Sequence, residues 1–559
     1  MTRSRAFSLL GAAMLAATVP ASAAQDAADL VLRHGVLYPV SAPPMHGSLA
    51  VRDGRIVYLG DDAGVAPLVG TRTRVIELAG RAVTPGLVDA HSHLLELGAA
   101  LAEVDLRDVA SYEEVVRRVA AAAAKEPGDA WLMGRGWDQN LWPSKAFPTH
   151  QPLDAAVPAR PVVLERVDGH ALLVNAAALR ALGVTATTKD PSGGRILRDA
   201  SGEPTGVFVD NAEALVYDQM PAPSDETLRR RIESGGKAAL AVGLTTVSDL
   251  GIGQAEADAY RALQREHRLP LRVAAFWTGV DPRLPQWLAA GPWASDDRFL
   301  TLRGVKLYAD GALGSRGAAL LEPYSDDPAN VGLLVNSGET LERIARESIR
   351  AGFQVGIHAI GDRGNLLAID ALEAAFEGRP RPDARCRIEH VQVARADDMA
   401  RMGRLGIIAS MQPTHATSDM PWAETRLGAH RLPRAYAWRT ALRSGARLAL
   451  GSDFPVEKPD PLLGFYAAIT RQDVHGNPPG GWLPDQILTR EEALRGFTLD
   501  AAWSLFLDDA IGSLDIGKRA DLVVYERDPM TEPALDVATT RVDWTVVDGR
   551  IVYQREGAR

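Results

Sequence analysis

The sequence contains very little cysteine: Cys386 is the only one in 559 residues. A single thiol cannot form an intramolecular disulfide, so small folds held together by disulfides are excluded. Cys386 opens the short run 386–390, which is one of the strands predicted below. We interpret it as a small buried hydrophobic residue rather than as a catalytic thiol.

The sequence also has no excess of positive charge. It carries 61 Lys and Arg against 71 Asp and Glu, which gives a net charge of -10. Because nucleic-acid binding usually needs a basic face, we expect no nucleic-acid partner. The content of 46% hydrophobic and 24% charged residues is typical of a soluble globular protein.

The apolar run near the N-terminus is too short to span a membrane. It covers residues 6–20, whereas a spanning helix needs about 20 apolar residues. Arg3 and Arg5 precede it, and residues 21–23 form a small-x-small cleavage pattern. We therefore predict a signal peptide at 1–23, an exported protein that is periplasmic or secreted, and no membrane attachment after cleavage.

Three other functional signals are lacking. We find no glycine-rich phosphate loop, no Ser-His-Asp arrangement with an identifiable nucleophile elbow, and no strong amphipathic membrane-binding stretch. These gaps disfavour nucleotide-binding, serine-hydrolase and membrane-surface functions.

The two ends of the chain carry the same hairpin pattern. The sequence Asp-Gly-Arg-Ile-Val-Tyr occurs at 53–58 and again at 548–553. Asp-Gly is a favoured two-residue turn between antiparallel strands. We predict one small β-sandwich domain built from residues 24–85 and 506–559.

Between these ends, short apolar strands alternate with helical stretches such as 341–351 and 439–444. This alternation predicts an α/β fold with a parallel sheet, and eight such units predict a (β/α)8 TIM-type barrel over residues 86–505. An insertion after strand one, at about 97–223, is interpreted as a subdomain over the barrel mouth. The predicted strands are 87–91, 245–249, 271–276, 304–308, 354–358, 386–390, 406–412 and 447–453.

Polar residues occur where several of these strands end. His91 and His93 are two residues apart at the end of strand one, so both side chains can reach one metal ion. Each residue has a plain alternative role: a hydrogen-bonded histidine, a salt-bridged lysine or a turn-capping aspartate. Their joint occurrence at one rim of a barrel favours a site for one or two divalent ions, for which zinc is expected. The predicted ligands are His91, His93, Lys306, His358, His390 and Asp453.

These motifs resemble the amidohydrolase superfamily. The segments 85–93 and 451–453 are similar to its signatures, and the split β domain also matches. More narrowly, 168–170, 305–317, 358–362 and 388–390 resemble the YtcJ-like branch (amidohydrolase family 3), which includes N-substituted formamide deformylases. The resemblance implies a metal-dependent hydrolase on a (β/α)8 barrel.

The resemblance also implies individual roles. His91, His93 and Asp453 would hold one ion, and His358 and His390 a second. Lys306 matches a position that in many relatives is a carboxylated lysine bridging the two ions. A divalent ion lowers the pKa of bound water from about 15.7 towards about 7, which supplies hydroxide for attack. Asp453 would act as general base and then as general acid.

We expect hydrolysis of a linear amide-type C–N bond in a small-molecule substrate. A cyclic amidase, a lactonase or esterase, and a deaminase on the same metal site stay open as alternatives. A deaminase is disfavoured by Lys306, since such enzymes usually work with one metal and no bridging lysine. A catalytically dead binding protein is a further alternative that the full ligand set opposes, and homo-oligomer formation also stays open.

Five residues are candidates to contact the substrate. Four of them also have a structural alternative: core packing for Trp137, a loop pair for Asp310 with Arg316, and a turn hydrogen bond for His170. The candidates are Trp137, Asp138, His170, Asp310 and Arg316.

Overall fold

The computed structural model describes residues 27–125, 131–166, 171–191, 194–314 and 316–558. The predicted signal peptide and His170 lie outside these residues. None of the described helices is both long and apolar enough to cross a membrane.

The strands are numbered in chain order. They are β1 Leu30–Leu37, β2 Met45–Arg52, β3 Arg55–Gly60, β4 Arg74–Glu77, β5 Ala82–Pro85, β6 Leu87–Ser92, β7 Val104–Asp105, β8 Leu132–Trp137, β9 Val162–Arg166, β10 Ala171–Val174, β11 Gly194–Arg198, β12 Pro204–Asp210, β13 Leu244–Ile252, β14 Arg272–Thr278, β15 Trp293–Ala294, β16 Leu300–Tyr308, β17 Gln354–Ala359, β18 Arg387–His390, β19 Ile408–Met411, β20 Leu448–Leu450, β21 Leu522–Tyr525, β22 Val542–Val547 and β23 Arg550–Gln554.

The α-helices are also numbered in chain order. They are α1 Asp62–Val65, α2 Leu94–Ala102, α3 Tyr112–Lys125, α4 Gln151–Ala156, α5 Ala176–Ala181, α6 Ala214–Tyr217, α7 Asp225–Ala241, α8 Gln254–Arg265, α9 Leu284–Ala290, α10 Gly338–Arg350, α11 Asp362–Ala375, α12 Ala396–Leu405, α13 Pro413–Leu427, α14 Trp438–Arg443, α15 Pro461–Thr470, α16 Arg490–Gly496, α17 Leu499–Ser504 and α18 Ala534–Val537.

Both chain ends contribute to one sheet, in the order β23-β22-β21-β5-β1-β2-β3 with β4 beside β1. The two predicted hairpins are β2–β3 and β22–β23. Asp53 and Asp548 have φ values of 51° and 52°, each followed by a glycine with positive φ, as the favoured tight hairpin turn requires. A buried ion pair joins this sheet to the barrel, since Arg272 Nε lies 2.7 Å from Asp521 Oδ2.

The centre of the chain is the predicted barrel of parallel strands, in the order β20-β19-β18-β17-β16-β14-β13-β6. The strands are mostly buried along their whole length, as expected for a parallel sheet covered by helices. Strand β20 ends at Leu450, three residues before the predicted end. The following segment closes the barrel, because Asp453 N donates to His91 O (2.8 Å) and His93 N donates to Phe454 O (2.9 Å).

The insertion after β6 forms its own sheet, in the order β11-β12-β10-β9-β8-β7. Its strands alternate their side chains between two faces. One face packs around Leu164 and Leu173, and the other around Val163 and Leu172. The inserted sheet therefore has hydrophobic cores of its own.

Candidate metal centre

The six predicted ligand residues lie together at the carboxyl-terminal rim of the barrel. Asp453 is the centre of the group: its Oδ1 lies 3.4 Å from His91 Nε2 and 3.3 Å from His93 Nε2. The imidazole of His390 lies between those of His91 and His358, and its ring centroid is 4.6 Å from the centroid of each. This is the rim at which (β/α)8 barrels carry their active sites.

Lys306 belongs to the same group. Its side chain is buried on β16, with Nζ 5.1 Å from the ring centroid of Tyr308. Burial lowers the pKa of Lys306 to about 8, although the carboxylates of Glu389 and Asp453 act in the opposite direction. Lys306 therefore lies among the histidines and is protonated less readily than an exposed lysine.

Two of these residues have an unusual backbone. His390 has a φ of 76° and Asp453 a φ of 62°, in the left-handed region that non-glycine residues rarely adopt. In a regular strand, Glu389 and His390 would point to opposite faces. The turn of the backbone at His390 lets both side chains reach the centre, and strain of this kind often occurs at functional sites.

The histidine nitrogens are oriented by neighbouring side chains. His91 Nδ1 donates to the Glu389 carboxylate (2.7 Å), and His390 Nδ1 donates to Gln412 Oε1 (2.8 Å). In each ring this leaves the Nε2 lone pair for a ligand. Such outer partners fix the tautomer and orientation of metal-binding histidines.

Glu389 is itself held by a buried cation. Arg387 Nε donates to Glu389 Oε1 at 2.5 Å, and neither side chain is exposed. Burial would raise the pKa of Glu389, but Arg387 and His91 hold it well below its usual range. The carboxylate under His91 is therefore ionised and can accept its proton.

Asp89 fixes the loop that carries Asp453. The Asp89 carboxylate accepts from Ser452 Oγ at 2.6 Å and from the backbone N–H groups of Ser452 and His91, both at 3.1 Å. Burial raises the pKa of Asp89 to about 7. Asp89 lies on β6, two residues before His91, so these hydrogen bonds join β6 to the segment that follows β20.

The donor set fits a divalent metal. His91, His93 and Asp453 offer ligand atoms that all lie within 4.8 Å of one another. His358 Nε2 is buried and has no hydrogen-bond partner among the described residues, which is costly unless something else binds it. Imidazole nitrogen with carboxylate oxygen is the ligand chemistry of zinc and similar ions.

The structure corrects the prediction for Trp137. Its side chain is fully buried in the core of the inserted sheet, where the indole N–H donates to Leu164 O at 2.8 Å. It therefore serves core packing and does not line the barrel mouth. Asp138 beside it pairs with Arg166, with Nη2 2.8 Å from Oδ1.

Asp310 and Arg316 do not pair with each other. Asp310 is buried and accepts from the backbone N–H groups of Ala319, Ile360 and Gly361 at 2.8, 2.9 and 2.8 Å. It therefore ties together the loops that follow β16 and β17. Arg316 instead forms a two-pronged ion pair with Asp326, with distances of 3.1 and 2.9 Å.

His415 lies in the first turn of α13 and is a candidate residue that was not predicted from the sequence. Its Nε2 lies 3.6 Å from Asp453 Oδ2. His390, His415 and Asp453 form a second group whose ligand atoms lie within 4.8 Å of one another. The available signal was a histidine shortly after the seventh predicted strand, an end to which no functional residue had been assigned.

Several known proteins are similar to this chain over most of its length. Of the protein relatives, LONG AFTER FAR-RED 3 of Arabidopsis thaliana is 35% identical, covering 94% of this chain and 92% of that protein. YtcJ of Bacillus subtilis is 33% identical, covering 90% and 95%. The N-substituted formamide deformylase of Arthrobacter pascens is 28% identical, covering 91% and 95%.

A solved structure is similar over nearly the whole chain. It is an uncharacterized metal-dependent hydrolase from Pyrococcus furiosus, with a TM-score of 0.76 and 31% identity, covering 90% of this chain and 100% of that one. Residues 74–553 match the amidohydrolase family. The chain therefore belongs to the amidohydrolase family, in its YtcJ-like branch, and is a metal-dependent hydrolase.

Proposed function

We propose that this amidohydrolase cleaves a linear amide C–N bond in a small molecule, using two divalent ions. The observation that carries the proposal is the buried Lys306 among four histidines and Asp453, because a lysine at this place would bridge two ions once it is carboxylated. The relative named as an N-substituted formamide deformylase supports a linear amide as the substrate class.

The residues divide between the two ions as follows. His91, His93 and Asp453 would hold the first ion, His358 and His390 the second, and a carboxylated Lys306 would lie between them. Zinc suits this nitrogen and oxygen donor set. When bound, such ions activate water and polarise the scissile carbonyl group.

Asp453 has the position needed to move the proton. In hydrolysis, water oxygen bonds to the carbonyl carbon, the C–N bond breaks, and the products are a carboxylic acid and an amine. We infer that Asp453 takes a proton from the water and gives it to the leaving nitrogen. Oδ1 is engaged by His91 and His93, so Oδ2 is the oxygen left for the transfer.

Two neighbours support these roles. Glu389 accepts a hydrogen bond from Nδ1–H of His91, and Gln412 accepts one from Nδ1–H of His390. Each holds its imidazole in the tautomer that presents Nε2 to the centre. Asp310 holds the loop immediately after His358, so we infer that it is a positioning residue rather than a substrate contact.

We also propose that the protein is exported. The proposal depends on the sequence of residues 1–23, with their two arginines, apolar run and small-residue end. Expression with a C-terminal tag, followed by fractionation and N-terminal sequencing, tests it. A mature chain beginning near Ala24 outside the cytoplasm is expected, and an uncleaved cytoplasmic chain would contradict it.

The substrate class is tested with metal-loaded enzyme. A panel of N-substituted formamides, other N-acyl amines, N-acyl amino acids, cyclic amides and lactones is incubated and analysed by mass spectrometry. We expect amine release from the linear amides. Turnover confined to rings or esters would keep the metal centre but reject the linear-amide proposal.

Two variants control this experiment. Asp453→Asn should abolish amine release, since an amide cannot take up the proton from water. Asp509→Asn changes an exposed aspartate that pairs with Arg298, and should leave turnover unchanged. Metal analysis of the wild-type protein should give two ions per chain, and a single ion would contradict the bridging role of Lys306.

A further inference from the structure

His415 is a buried side chain that neither the predicted ligand set nor the proposed proton transfer uses. It is 7% exposed, and its Nε2 has no hydrogen-bond partner in the parts of the chain that the structure describes. An unsatisfied buried polar nitrogen costs free energy. Because Nε2 of His415 faces the candidate metal centre without a partner among the described residues, we expect it to interact with a group that binds there.

The other nitrogen of the ring is engaged. Gln392 Nε2 lies 3.1 Å from His415 Nδ1, so the amide donates and Nδ1 accepts. A neutral imidazole has one donor and one acceptor, which places the ring proton on Nε2. Gln392 is held in turn, because its main-chain carbonyl oxygen accepts from Tyr436 N at 2.6 Å and its side-chain Oε1 accepts from the Tyr436 hydroxyl at 3.5 Å.

The Nε2 atom of His415 lies near Oδ2 of Asp453, the carboxylate oxygen that His91 and His93 do not approach. Oδ1 of Asp453 faces His91 and His93, whereas Oδ2 lies 3.6 Å from His415 Nε2. This distance is too long for a hydrogen bond. The donor therefore lies beside the oxygen that passes the proton to the leaving group, where the reacting carbonyl must also lie.

We propose that His415 is a catalytic residue whose Nε2–H donates a hydrogen bond to the carbonyl oxygen of the scissile amide. The proposal rests on the amide hydrolysis proposed above. Negative charge develops on this oxygen as water adds to the carbon. Removing one donor of this kind lowers kcat by about 100-fold to 1000-fold in other enzymes.

Two substitutions separate the two nitrogens of the ring. His415→Asn keeps an amide near the Nδ1 position, where it can still contact Gln392, but presents no donor at the Nε2 position. His415→Gln has the longer side chain and can place its N–H near Nε2. The matched control is His430→Gln, which changes an exposed histidine paired with Glu322.

We expect His415→Asn to lower kcat by about 100-fold or more, with little change in KM. His415→Gln should recover at least tenfold of that loss, and His430→Gln should behave as wild type. Metal content, measured by mass spectrometry, should be the same in all four proteins. Equal losses in the Asn and Gln variants, unchanged kcat in the Asn variant, or loss of an ion from it would overturn the proposal.

A probe with no C–N bond to cleave separates this proposal from the linear-amide function. Methylphosphonate presents an anionic oxygen to the metal centre, and its Kd is measured by calorimetry on metal-loaded protein. We expect binding about tenfold weaker in His415→Asn and near wild type in His415→Gln. If the wild type hydrolyses no linear amide but this difference is found, only the substrate assignment fails. If amides are hydrolysed but both variants match wild type in kcat and Kd, only the role of His415 fails.

Discussion

The buried carboxylate of Glu389 offers the sharpest test of how the centre is held together. Glu389→Gln keeps the shape of the side chain but removes its negative charge. In the wild-type protein, the Glu389 carboxylate accepts hydrogen bonds from Arg387 Nε at 2.5 Å and from His91 Nδ1 at 2.7 Å. The substitution therefore affects both a buried ion pair and the orientation of His91, a proposed metal ligand.

The expected loss of stability follows from what remains around Arg387. Its guanidinium is fully buried, and its other contacts are Ser248 Oγ at 3.4 Å and the Phe276 ring at 4.6 Å. Removing one partner of a buried pair costs about 3–5 kcal/mol. Asp89 still opposes the charge of Arg387, so we expect the lower end, about 3 kcal/mol.

The expected loss of metal affinity follows from His91. A glutamine oxygen can still accept the hydrogen bond from His91 Nδ1. Because the amide is neutral, however, it orients the imidazole less firmly and raises the basicity of the ring less than a carboxylate does. Changes in such outer partners reduce metal affinity by about 10-fold to 100-fold. Glu389→Gln should therefore weaken zinc binding by about 1.4–2.7 kcal/mol.

The two effects are measured separately. Urea unfolding of metal-free protein reports stability, and titration against a competing chelator reports zinc affinity. The control is Asp105→Asn, whose exposed pair with Arg107 should contribute less than about 1 kcal/mol. The double variant Arg387→Met with Glu389→Gln should recover part of the lost stability. Wild-type stability in Glu389→Gln, or no recovery in the double variant, would refute the reasoning.

Three further outcomes follow from the site. His358→Ala should lose an ion and activity with an unchanged far-UV circular dichroism spectrum; full turnover would reject its place in the centre. Lys306→Ala should lose activity, which short carboxylic acids partly restore by replacing the bridging group, and normal activity in the variant would exclude a bridge. Trp137→Phe removes the indole hydrogen bond to Leu164 O, which should cost about 0.5–1.5 kcal/mol in urea unfolding. Its kcat and KM should stay unchanged, whereas a raised KM alone would indicate substrate contact.

The sequence predicted the barrel because burial leaves a simple pattern. Most of the eight strands are short apolar runs, and their order along the chain is also their order around the sheet. The candidate metal ligands could be identified because they lie near the ends of these strands or just after them. The sheet at the chain ends was predictable from the repeated turn, since Asp53 and Asp548 both need a left-handed backbone followed by glycine.

Contacts that depend on distant loops could not be predicted in the same way. Trp137 lies on a strand whose apolar pattern is the same whether its face meets a core or a ligand. Arg316 pairs with Asp326, ten residues further along an irregular loop, so no periodicity relates the two. His415 was missed because Pro413 starts a helix after β19, which carries the histidine back over the rim.

The arrangement of the loops constrains where substrate specificity can reside. Asp310 binds three backbone N–H groups in the loops after β16 and β17, and one of these loops directly follows His358. A change in either loop that disturbed Asp310 would therefore also move a residue of the metal centre. The inserted sheet has separate hydrophobic cores, so its surface can vary without this penalty. Substitutions on the exposed surface of the insertion should accordingly disturb His358 less than substitutions in the loops that Asp310 holds.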